Sequence, residues 1–186
     1  MATIAGPWQW FGHTALSSGF RSAGLLSIVG VPAHPLVVAM VAVLLPLAAL
    51  CSIAMAIHRG FRKRFGSATL VLTAVAVAAV PLAQYTGEQL AARLGSTDPL
   101  VAQHVALGNQ LLPYALGFGV AVVVLLVAGK LADRERAAEE SSAKTWQRIS
   151  TLLSVLVVAM AVLTTVEVVR IGTTGAQAVW QHDGTR

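Results

Sequence analysis

The sequence predicts an all-α fold: an integral-membrane antiparallel four-helix bundle preceded by an interfacial segment. Three observations predict it. The chain of 186 residues is 56% hydrophobic and 11% charged, with a mean hydropathy of +0.72, whereas soluble domains carry about 25% charged residues. Four apolar stretches, about 36–57, 67–84, 110–130 and 149–171, recur along it. Each approaches the length that a helix needs to cross roughly 30 Å of hydrocarbon. The connections between them are short, which favours antiparallel neighbours. Residues 31–172 therefore form the membrane domain, with 1–30 before it and 173–186 as a tail.

Residues 1–30 do not read as a signal peptide, because no basic segment precedes a compact apolar one. Cleavage before residue 30 is not expected. Trp8, Trp10, Phe11, Leu16 and Phe20 are interleaved with Ser, Thr, Gly and Gln. Such a segment favours the headgroup layer, and His13 within it reads as a solvated residue.

The first span opens on the turn Gly30-Val-Pro-Ala-His34-Pro35 and runs uncharged from Leu36 to Ile57, 22 residues. Pro46 removes a backbone bond at mid-span, which a bundle absorbs by repacking. Cys51 lies in this run and is the only cysteine. It excludes an internal disulfide and any paired-cysteine redox or metal site, and reads as a small buried apolar residue.

A basic loop follows, with Arg59, Arg62, Lys63 and Arg64 within six residues and His58 beside them. The second span begins near Ser67. Ala74 and Ala78, four apart, predict a face on which a neighbouring helix approaches closely. Its helix is expected to project past Gln84 as far as Gly95. Thr97 or Asp98 can cap the third helix, with Pro99 in its first turn. Pro113, Gly117 and Gly119 fall within the apolar part of that helix. A mixed-charge loop from Lys130 leads to the fourth helix, with Trp146 as an interfacial anchor at its base. Glu167 is the one acid placed inside an apolar run, and Arg170, three residues on, shares its face. Trp180, in the tail, reads as an interfacial residue.

Orientation follows from Lys and Arg. The 59–64 stretch holds four and the 130–148 stretch five, against one in 84–107 and three near the termini. The excess places both basic connections in the cytoplasm and both termini outside. A net charge of +5 thus reports topology in a lipid bilayer, and no nucleic-acid partner is expected.

No zinc-protease, nucleophile-elbow or phosphate-loop motif is present, so neither an enzyme nor a metal-ion site is expected. What remains is a polar layer at the outward helix ends: His34, Gln84, Tyr85, Glu88, His104, Asn109, Glu167 and Arg170. Polar groups near hydrocarbon are costly and become functional candidates where they converge. Helix ends also carry polar residues for ordinary reasons, and Glu167 with Arg170 reads equally as an interfacial ion pair. Glu167 is expected to touch Arg170 or a histidine.

The stretches GVPAHPLVV and LLPLAAL, then YTGEQLAARLG and VAQHVALGNQLL, and finally VRIGTTGAQAVW are similar to a bacterial transmembrane family, domain of unknown function 2231, over roughly residues 30–181. The resemblance implies a four-helix domain of the bacterial plasma membrane, found alone or joined to a Rieske-type iron–sulfur domain, and so an association with electron transfer. The family's histidines fall on His34 and His104. Ala39 and Thr173 stand where two further histidines are usual. Two functions are carried forward. The first is a non-catalytic membrane subunit or scaffold whose outward polar layer docks a membrane or redox protein or simply caps the bundle. The second is a small electron-transfer protein binding b-type haem or quinone at the outward ends, with His34 and His104 as the axial pair.

Overall fold

A computed structural model describes residues 27–28, 31–94, 99–138 and 142–180. Four helices carry the fold: α1 Ala33–Ile57, α2 Arg59–Leu94, α3 Pro99–Ala137 and α4 Ala143–Trp180. A two-residue antiparallel pair precedes them, Ser27–Ile28 against Val31–Pro32, with Ser27 opposite Pro32. All four helices are long and apolar enough to cross a membrane. Each packs on its neighbours in ring order: α1 on α2, α2 on α3, α3 on α4 and α4 on α1. Consequently α1 and α3 lie across the bundle from one another.

The helices extend further than the apolar stretches. The basic stretch expected to be a loop is the first turns of α2, and a single residue, His58, separates α2 from α1. The charged stretch after Lys130 likewise continues α3 to Ala137, and α4 runs through the expected tail to Trp180. Arg, Lys, Glu and Ala are strong helix formers, so loss of apolarity marks the membrane boundary and not the helix end. At 39 residues, α3 is about 58 Å long, well beyond the hydrocarbon. The interfacial segment expected over 1–30 lies almost wholly outside the described residues, as do the cap candidates Thr97 and Asp98.

Proline interrupts no helix: Pro46, Pro81 and Pro113 each lie inside one. Several hydroxyls bond to the preceding turn, Thr73 to the Thr69 carbonyl at 2.8 Å and Thr165 to that of Ala161 at 2.8 Å. This back-bonding keeps a polar group tolerable in hydrocarbon.

The core is built from small and large residues in alternation. Ala48, Ala76, Ala115 and Ala161 are fully buried beside Phe118, Leu45, Met55 and Leu125. Small side chains let membrane helices approach, and close packing replaces the hydrophobic effect that lipid cannot supply. Ala74 and Ala78 do not serve this purpose. Both are exposed, and α2 packs through Thr69, Thr73, Ala76, Ala79 and Val80 instead. Around the outside, Val43, Leu50, Val71, Val120, Leu152 and Val155 form an exposed apolar sheath on all four helices. A soluble protein would bury that much apolar surface, and lipid covers it here.

Candidate functional site: paired histidine clasps

His34 lies in the first turn of α1 and faces α2. Its Nδ1 is 3.2 Å from the hydroxyl of Thr86, which is buried. That hydroxyl has one proton, and it donates to the Leu82 carbonyl at 2.9 Å, shared with that of Ala83 at 3.1 Å. The oxygen is left as an acceptor, so Nδ1 of His34 carries the proton and donates. The ring lies against Gly87: a Cβ there would stand 2.8 Å from His34 Cε1. Only glycine leaves room for the imidazole at this step.

His104 repeats the arrangement between α3 and α4. Its Nδ1 donates to the Ile171 carbonyl at 3.1 Å, with the Thr174 hydroxyl 3.5 Å away. Thr174 donates to that same carbonyl at 2.9 Å. The ring lies against Gly175, where a Cβ would be 2.9 Å from Cε1. Each histidine thus sits on a Thr-Gly step of the following helix, Thr86-Gly87 or Thr174-Gly175. Each contact suits the Nδ1–H tautomer, in which the lone pair lies on Nε2. The His34 imidazole has a second partner in the backbone of Ala83.

The two clasps occupy the same end of the bundle, His34 on α1 and His104 on α3 across from it. A third joint completes the layer, the Gln84 side-chain amide donating to the Gly108 carbonyl at 2.9 Å between α2 and α3.

The remaining residues of the expected layer do not take part in the clasps. Glu167 is buried on α4 and meets Arg170, Nη1 to Oε1 2.8 Å. Its other oxygen, Oε2, is buried with no partner among the described residues. Tyr85, Glu88 and Asn109 are exposed, and no hydrogen bond or ion pair joins them to either histidine. Ala39 is exposed, and so is Thr173, whose hydroxyl donates to the Arg170 carbonyl at 2.8 Å. A histidine at either position would point out of the bundle, away from His34 and His104. Sequence reasoning found the histidines and missed their seats. The signal was the recurrence of Thr-Gly-x-Gln, in Thr86-Gly-Glu-Gln89 and again in Thr174-Gly-Ala-Gln177.

Among the described residues no three His, Cys, Asp or Glu side chains gather as a metal ion would need. Two imidazoles oriented through Nδ1 would suit a cofactor that brings its own equatorial ligands better than a bare ion that asks the protein for four.

A family model described as a predicted membrane protein (DUF2231) matches residues 30–185. No curated protein and no solved structure matches the chain.

Proposed function

The chain belongs to this family of membrane proteins, and from that premise we propose that it is a non-catalytic membrane subunit. Its histidine end forms a closed docking face for a membrane or redox partner. One observation carries the reading: the polar groups of that end are spent on joining helices. His34 with Thr86 joins α1 to α2, Gln84 with Gly108 joins α2 to α3, and His104 with Ile171 joins α3 to α4. These three contacts hold the scaffold together at that end. Tyr85, Glu88 and Asn109 remain as an exposed polar rim for the partner. In this reading the histidine end and both termini face away from the cytoplasm of a bacterial cell, as the Lys and Arg excess at the other end favours.

The Nε2 lone pairs that the Nδ1–H tautomers would present favour a second reading, electron transfer through a b-type haem. His34 and His104 would be its axial ligands, and the group would supply one-electron chemistry. The hydroxyl of Thr86 and the carbonyl of Ile171 would orient the imidazoles and raise their basicity. A quinone would instead use an Nε2 lone pair as hydrogen-bond acceptor for its reduced form.

The absorption spectrum of the full chain, purified in mild detergent from a haem-replete host, separates the two. The subunit reading expects protein absorbance alone. A Soret band that His34→Ala and His104→Ala each abolish would replace it with the haem reading.

A further inference from the structure

We propose that the basic end of the bundle holds the phosphate of an anionic glycerophospholipid between α2 and α3. Three cations converge there on one carboxylate. Arg59 pairs with Asp133, Lys63 Nζ lies 3.4 Å from Oδ2, and Arg136 Nη1 lies 3.3 Å from Oδ1. Arg62 is the fourth. Its guanidinium lies across the backbone of α3 at Gly129, where a Cβ would stand 2.9 Å from Nε and 3.3 Å from Cζ. Asp133 acts on it through space, as do Arg59 and Arg136, but among the described residues it has no hydrogen bond and no ion pair.

A guanidinium offers five N–H donors in a fixed fork, suited to phosphate. Held half-buried against a helix, with no partner for its donors among the described residues, and beside three cations that share one acid, it is a site short of an anion. Arg59, three residues before Arg62, lies on the same face of α2, and Lys63, one turn after Arg59, meets it on Asp133.

The position selects the source of the anion. The exposed apolar sheath reaches Ile57 on α1, Val71 on α2 and Val127 on α3, and the cation cluster lies one to three turns beyond it. That is the depth of lipid headgroups. Phe65 is exposed at the same level, its ring tilted against that of Phe61 with centroids 4.9 Å apart and with Arg64 Cζ 5.4 Å from its centroid. Aromatic rings among cations fit a boundary of phosphate and acyl chain better than bulk water. The Asp133 carboxylate keeps the cations together when no lipid is present and competes with the phosphate when one is.

The test titrates the full chain in neutral maltoside micelles with phosphatidylglycerol or phosphatidylcholine, reading thermal unfolding and bound lipid by native mass spectrometry. Phosphatidylglycerol should raise the unfolding temperature and phosphatidylcholine should not. Arg62→Gln should weaken phosphatidylglycerol binding at least about fivefold, each basic residue at a membrane surface contributing on that scale. Lys144→Gln, an exposed cation on α4, should leave it within about twofold at raised ionic strength, where charges not in contact are screened. Asp133→Asn should tighten binding, the reverse of what loss of a purely structural ion-pair cluster would do. Equal shifts with both lipids, an Arg62→Gln chain that titrates like the parent, or full competition by equimolar inorganic phosphate would each overturn the assignment.

Discussion

Replacing Arg170 by leucine is expected to destabilise the bundle by about 3 kcal/mol, while replacing its partner Glu167 by leucine costs less than about 1 kcal/mol or stabilises it. The asymmetry follows from burial. The Glu167 side chain is 10% exposed and that of Arg170 is 58% exposed. Without Arg170 the carboxyl group is stranded: Oε2 already lacks a partner among the described residues, and Oε1 loses the one it had. Without Glu167 the guanidinium, already at the surface, reaches the headgroup layer on its flexible stem and keeps its hydration. Unfolding equilibria in mixed micelles for the two single variants test this. Equal costs would mean that the pair is held for its mutual attraction and not for shielding the acid.

Phe118→Ala is expected to cost about 2–3 kcal/mol, from the cavity alone. Phe118 is 0% exposed at the centre of a core with Leu45, Val80, Val122 and Leu125 around it. In water the loss would be larger, because the ring would also forfeit its transfer out of solvent. In a bilayer the unfolded helix already sits in hydrocarbon, so lost packing contacts account for the effect. Leu152→Ala serves as the contrast. Leu152 is 71% exposed in the lipid-facing sheath, and its truncation should change stability by no more than about 0.5 kcal/mol. Unfolding of both variants in the same micelles reads the difference; a Leu152 effect as large as that of Phe118 would place Leu152 in a protein interface.

The number and order of the helices were legible because apolar runs of membrane length are hard to misread. Their extents were not. Arg59 to Gly66 and Lys130 to Ala137 are polar but helix-forming, and polarity alone was read as a loop. The packing face of α2 was misread for a related reason. A helix that is apolar all round carries no moment to distinguish Ala74 and Ala78, which meet lipid, from Ala76 and Ala79, which meet protein. At the candidate site His34, His104 and the Glu167–Arg170 neighbourhood were visible as costly residues near hydrocarbon. Their environment was not, because a histidine is tied to a Thr-Gly step more than fifty residues away. Only the repetition of that step hints at it. Arg62 gave no signal beyond its charge, since its seat depends on a glycine in another helix.

The matched clasps imply that the two hairpins, α1 with α2 and α3 with α4, are fastened by the same device at the same end. Each fastening needs a glycine for the ring to rest on and a hydroxyl or carbonyl for its Nδ1–H. The most direct measurement is the unfolding free energy of Gly87→Ala in the parent chain and in a His34→Ala background, with Gly175→Ala and His104→Ala as the second cycle. In the parent, each new methyl group meets an imidazole at under 3.0 Å and should destabilise by about 1–3 kcal/mol. With the histidine removed, the same substitution should stabilise by up to about 1 kcal/mol, the ordinary preference of a helix for alanine over glycine. That reversal of sign in both hairpins is the result expected. A glycine substitution with the same effect whether or not its histidine is present would contradict the clasps, and with them the reading of this end as a closed, non-catalytic face.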